Sequence, residues 1–225
     1  MFLNELTKSY PLDPQAIDAA KTFYKKIPDL PVKNGKVDDD AIDYEADFEL
    51  VRKMKALGWT ESHTEGWYST VFVKPSEPYV LKINKRVDRP YAWFALLASK
   101  FPNEHFPKIG NAKIIKVQTM NYRIYAIEKL SPFQDKLDAK YIAGFCKWSV
   151  KTQDDLQYQL NYGKQVEESV AGLRGQTAGL ISACQILKKY GSGFHIDIHS
   201  NNIMLRGRTS VITDPFTPIE DALDS

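Results

Sequence analysis

Two short apolar runs, Ile203-Met204-Leu205 and Val211-Ile212-Thr213, flank the turn signal Arg206-Gly207-Arg208. Runs of that length around a glycine turn read as the arms of a hairpin. The surrounding stretch, Phe194 to Phe216, concentrates polar and titratable groups: His195, Asp197, His199, Asn202 and Asp214. The hairpin sets Asp197 and Asn202 on the loop before its first arm and Asp214 at the end of its second. Three oxygen ligands therefore gather at one end. Mg²⁺ takes hard oxygen ligands, often one or two carboxylates completed by phosphates and waters, so the cluster suits a magnesium-nucleotide site.

At 225 residues the chain has room for one domain of two lobes or two small domains. Its net charge of +2 gives no general reason to expect nucleic acid as a partner. Cys146 and Cys184 lie in helix-like apolar surroundings and read as reduced core residues, which fits a cytosolic setting. No signal peptide and no run of eighteen apolar residues is present, so a soluble protein without a membrane span is expected.

Taken in order, Asp13 and Pro14 start a helix that Pro28 and Pro31 stop. A second helix follows the acidic cap Asp38-Asp39-Asp40, with Ile42, Phe48, Val51, Met54 and Leu57 on its apolar face and Gly58 at its end. From Trp59 to Asn84 the pattern is that of strands, with Lys74 to Pro78 as the turn. Pro90 to Lys100 reads as a short amphipathic helix, and two more strands follow with Met120-Asn121 as the tight turn between them. Lys136 to Val150 is predicted helical, as is one long helix from Gln165 to Tyr190, with the polar and aromatic stretch from Lys151 to Tyr162 as a connector or partner surface. His195 is expected to be a buried, structural imidazole. A zinc site on His195 and His199 is disfavoured, because Ser192-Gly193 argues against a helix and no cysteine is near.

The run H-I-D-I-H-S-N-N resembles the protein-kinase catalytic loop, H-R-D-x-x-x-x-N, with the spacing from Asp197 to Asn202 preserved. T-D-P-F, around Asp214, is similar to the metal-binding D-F-G segment. D-I-H-S-N-N-I-M followed by I-T-D-P resembles most closely the early Ser/Thr protein kinases of T7-type bacteriophages. The likeness is sharp over about twenty-five residues and diffuse elsewhere.

The resemblance implies an α+β, two-lobed, protein-kinase-like fold. Residues 1–58 would form an N-terminal helical extension, 59–130 a small lobe built on an antiparallel sheet, and 131–225 a reduced helical lobe carrying the catalytic loop. It implies ATP and Mg²⁺ as cofactors. Asp197 would be the catalytic base, Asn202 and Asp214 the metal ligands, and Lys82, in V-L-K-I, the lysine on the nucleotide phosphates. His199 would stand near the γ-phosphate. Gly66 and Ser69 would offer backbone N–H groups to phosphate, although G-x-G-x-x-G is absent. Glu128 and Leu130 would fall at the hinge, where backbone groups read adenine. The helix from Pro90 to Lys100 holds no glutamate to pair with Lys82, which leaves Asp88 and Glu104 at its flanks as candidates.

The implied function is phosphorylation of host proteins in the infected bacterial cytoplasm, with no membrane or direct nucleic-acid partner. The chain ends acidic, E-D-A-L-D-S, so the basic C-terminal activity of the phage relatives is not carried over. Two other readings stay open. Aminoglycoside-type small-molecule kinases also carry D-x-H-x-x-N. A degenerate kinase acting by binding a host protein would account for the single glycine and the altered D-P-F. The oligomeric state has no signature.

Overall fold

The computed structural model describes residues 10–26, 32–33, 36–37, 44–62, 69–85, 87–110, 112–117, 120–151, 156–170 and 173–219. The chain divides into two compact units, one of Met1–Asp88 with Ile109–Lys129, the other of Arg89–Lys108 with Leu130–Ser225.

In the first unit, helix α1 (Pro14–Lys26) begins where the sequence predicts. Asp13 Oδ1 accepts from the backbone N–H groups of Gln15 (2.9 Å) and Ala16 (3.4 Å), and Pro14 occupies the first helical position, where its missing N–H costs nothing. Asp13 Oδ2 also accepts from the Trp59 indole at 3.1 Å. Burial alone would raise the Asp13 pKa, but these hydrogen bonds outweigh it and hold the carboxyl below its ordinary value. The short strands β1 (Val32–Lys33) and β2 (Lys36–Val37) pair antiparallel.

Helix α2 (Tyr44–Ala56) ends in a Schellman turn. Gly58 has φ +82°, its N–H bonds Lys55 O at 2.9 Å, and the Trp59 N–H bonds Met54 O at 3.0 Å. The buried stripe of α2 runs through Leu50 and Met54, while Phe48, expected on that stripe, is 74% exposed. Phe48 lies about 200° around the helix from Leu50, so both cannot face the core. The acidic run Asp38–Asp40 and Ile42 lie outside the described residues.

A five-stranded antiparallel sheet follows: β3 (Thr60–Glu61), β4 (Ser69–Val73), β5 (Tyr79–Asn84), β6 (Lys113–Val117) and β7 (Met120–Glu128), in spatial order β3-β4-β5-β7-β6. Met120 and Asn121 are not the turn. They are strand residues, paired with Val117 and Lys116. Strand alternation gives the sheet two chemically distinct faces. Phe72, Leu81, Ile83, Ile124 and Ala126 join α1 and α2 in one buried core. The other face carries the cross-strand row Val71, Lys82 and Tyr125, with Ser69 opposite Asn84 beside it. Because Ala16, Ala20, Phe23, Leu50 and Met54 belong to that core, α1 and α2 are part of the unit that holds the sheet.

The second unit contains α3 (Arg89–Lys100), α4 (Lys136–Lys151), α5 (Leu156–Ser169) and α6 (Thr177–Tyr190). Four short strands follow: β8 (Phe194–Ile196), β9 (Ile203–Arg206), β10 (Thr209–Ile212) and β11 (Phe216–Pro218). Arg89–Lys108, inside the range expected for the first lobe, groups here because the Phe94 ring meets Phe106 at 5.6 Å and Phe216 at 6.3 Å, both edge-on. The predicted long helix is two. Gly175, at φ +71°, separates α5 from α6, and the Glu167 carboxylate accepts from the Thr177 N–H at 3.1 Å to cap the new start. Most of the supposed connector, from Leu156 onward, is the first half of α5.

Cys146 and Cys184 are buried and free. Contact with Cys184, together with burial, pushes the Cys146 thiol well above its ordinary range, so it stays protonated. The whole is α+β, and among the described residues no helix is long and apolar enough to cross a membrane.

Candidate functional site

Two strand ladders converge on the polar loop. Strands β9 and β10 form the predicted hairpin, with Arg206 paired to Thr209 and Gly207 at φ +61° in the turn. Strands β8 and β11 pair antiparallel, with Ile196 opposite Phe216. The first ladder continues into Thr213 N–H on Asn202 O at 2.9 Å, and the second into Asp197 N–H on Pro215 O at 2.7 Å. Asp197, Asn202 and Asp214 are thus fixed by backbone pairing on both sides.

The Asn202 side chain locks the arrangement. Its Nδ2 lies 2.9 Å from Asp197 O and 2.6 Å from Asp214 O. An amide nitrogen carries two protons, and these two carbonyls use both, so the remaining capacity of the side chain is its acceptor oxygen, Oδ1. His199 caps the 3-10 turn Ser200–Asn202, its Nδ1 accepting from the Asn201 N–H at 3.3 Å. His199 Nε2 lies 3.6 Å from Asp197 Oδ2. Asn202 Nδ2 is 3.1 Å from the same nitrogen. All four side chains are partly open to solvent.

His195 departs from expectation. It stands exposed on β8, opposite Thr217. The buried imidazole beneath the site is His105, which sequence reasoning missed. It is wholly buried, and its Nδ1 donates to Ser210 O at 2.7 Å. The Asn103 side chain accepts from its backbone N–H at 2.8 Å, and its own carbonyl accepts from Ile212 N–H at 2.8 Å. Arg206 adds bonds to the carbonyls of Glu104 (2.7 Å) and Phe106 (2.9 Å). The loop from Asn103 to Phe106 is therefore stitched to both arms of the hairpin. Burial draws the His105 pKa below its ordinary value, against the raising effects of Ser210 and Glu104. Gly179, on α6, leaves room for the ring, since a Cβ there would stand 2.4 Å from its Nε2.

In the first unit, Lys82 is buried on the polar face of the sheet, its Nζ 3.7 Å from Asp88 Oδ2, with both side chains 7% exposed. A buried ammonium needs such a partner. Asp88, just before α3, is therefore the acid that pairs with Lys82. Glu104 is 67% exposed and lies beside His105 instead. Ser69 is buried on the Lys82 face. Glu128 is buried opposite Tyr79, whose ring belongs to the core side, so its side chain is on the other face from Lys82. The Lys129 N–H is taken by Pro78 O at 3.0 Å, and Leu130 is half-buried in the second unit. Gly66 lies outside the described residues.

Among the described residues no three of His, Cys, Asp and Glu gather into a metal-holding group. The donors at hand are one carboxamide oxygen, Asn202 Oδ1, and the Asp214 carboxylate. Both are hard oxygens of the kind Mg²⁺ takes when phosphates and waters supply the rest. Comparison with protein-family models yields no match, and comparison with curated proteins yields none.

Proposed function

We propose that the protein is an ATP- and Mg²⁺-dependent phosphotransferase with a two-lobed, protein-kinase-like fold, acting on serine or threonine of host proteins in the manner of the phage kinases it resembles. The observation that carries this reading is the Asn202 amide. It spends both protons on the carbonyls of Asp197 and Asp214, which holds a base and a hard-oxygen pair in one rigid loop. A buried lysine with an acidic partner, on the third strand of the sheet in chain order, supports it further.

In this reading Asp197 accepts or orients the proton of the acceptor hydroxyl, a contribution typically worth ~10²–10⁴ in rate. His199, with Nε2 3.6 Å from Asp197 Oδ2, stands beside the base. Asn202 Oδ1 and Asp214 would hold the magnesium ion, which when bound neutralises charge on the phosphate oxygens. Lys82 neutralises the nucleotide phosphates, and Asp88 fixes the position of its ammonium group. Catalysis is then mainly positional and electrostatic, because phosphoryl transfer asks little covalent chemistry of the protein.

The test is incubation with γ-labelled ATP and Mg²⁺, with and without bacterial lysate, beside Asp197→Asn, Lys82→Ala and Asp88→Asn. Label on lysate proteins or on the chain is expected, with a loss of ~10²-fold or more in Asp197→Asn. A nucleotide-induced rise in Tm without protein label would redirect the reading to small-molecule acceptors. Neither label nor Tm rise would overturn it and favour the binding protein.

A further inference from the structure

Helix α4 divides its solvent side into two stripes. At about 100° per residue, Lys136, Lys140, Lys147 and Lys151 fall within an arc of roughly 60°, and Leu137, Trp148 and Tyr141 within the next 40° or so. The four lysines are exposed, and Leu137 and Tyr141 keep 56% and 59% of their surface in water. The helix's one carboxylate, Asp138, falls on the far side from the lysines, toward the buried flank of Ile142, Phe145 and Ser149.

The apolar stripe continues beyond the helix. The Trp148 ring lies 4.3 Å from Tyr162 and 6.0 Å from Tyr158, both on α5 and both exposed. A contiguous exposed apolar patch with a charged border marks an interaction site. The border here is a row of like charge, and row and stripe run side by side along the same helix.

We propose that this face of α4 and α5 docks an acidic, amphipathic segment of a partner protein. Its carboxylates would lie along the lysine row, and its aliphatic or aromatic side chains along Leu137, Tyr141 and Trp148. Charge complementarity sets the sign of the partner, and the chemistry of the stripe sets its class. Leu137 has no π-face, and Tyr158 and Tyr162 pack tilted against Trp148 at 54° and 44°, so the stripe lacks the open, parallel rings on which successive nucleic-acid bases stack. The apolar stripe is too narrow to sink into a bilayer, where interfacial helices bury a whole face. The proposal does not depend on nucleotide chemistry.

The experiment is fluorescence anisotropy with the full chain. The labelled probe is a helical peptide of about four turns, with glutamates along one edge and leucine and phenylalanine along the next. The other arms are the same peptide with lysine in place of glutamate, a single-stranded oligonucleotide, and phosphatidylserine vesicles. The acidic peptide is expected to bind, less tightly as salt rises. The double variant Lys140→Glu, Lys147→Glu is expected to weaken it about tenfold or more and to gain the lysine peptide instead. Tyr141→Ala is expected to weaken it several-fold while leaving the salt slope unchanged. No binding of the acidic peptide, binding indifferent to the charge swap, or tighter binding of oligonucleotide or vesicles would overturn the proposal. So would self-association of the chain through this face.

Discussion

His105 stands against the Ser210 carbonyl with its ring wholly buried, and its pKa lies below the ordinary 6.5. As pH falls through about 6.5 the unfolded chain takes up a proton there that the folded chain resists, so stability falls with pH in that window. Thermal unfolding followed between about pH 8 and pH 5 is expected to show this loss, and His105→Gln to remove that part of the slope. Asp13 and Glu167 act in a separate window. Their folded-state pKa values are lowered from 3.8 and 4.5, so the stability they add is complete above those values and is lost as pH falls below them. The charged groups facing His105 are Glu104 and Arg206, and neither changes charge between pH 5 and 8 at ordinary pKa values.

The last turn of α6 runs into a close approach. A Cβ on Gly191 would stand 2.4 Å from the Phe216 ring and 2.5 Å from the Leu187 carbonyl, while its φ of −96° is open to any residue. Gly191→Ala is therefore expected to cost about 1–3 kcal/mol through crowding and not through backbone strain, readable as a lower denaturation midpoint at unchanged slope. The contact joins residues twenty-five apart, and only the glycine is visible in the sequence, where it reads simply as a helix stop. Elements with local signals were legible: the Asp13-Pro14 start of α1, the Gly58 end of α2, the β4–β5 turn and the Gly207 hairpin. What failed were choices that tertiary packing decides. Phe48 and Leu50 compete for one face of α2, and a Glu167 side chain ten residues away starts α6 at Thr177. In the site, Asp197, Asn202 and Asp214 were readable because they lie within eighteen residues of one another. His105 was not, because its partner Ser210 is 105 positions further on.

Across the whole molecule, the helices before the sheet share its core. Phe23→Ala, in α1, is expected to cost about 3–5 kcal/mol, with amides of β5 and β7 exchanging faster alongside those of α1. An appended helix would instead exchange alone. The first unit is also discontinuous in sequence, since Arg89–Lys108 is interposed between its two segments and belongs to the other unit. That interposition has a consequence during synthesis. Phe94 leaves the ribosome soon before Phe106, but Phe216, the third ring of their cluster, follows roughly 120 residues after Phe94, or about 6–24 s at typical elongation rates. For that interval Phe94 has Tyr91 and Phe106 beside it but lacks the third ring, so one side of the cluster stays open to solvent. The cluster can therefore close only once the end of the chain has emerged, which makes the timing of translation part of how this unit assembles.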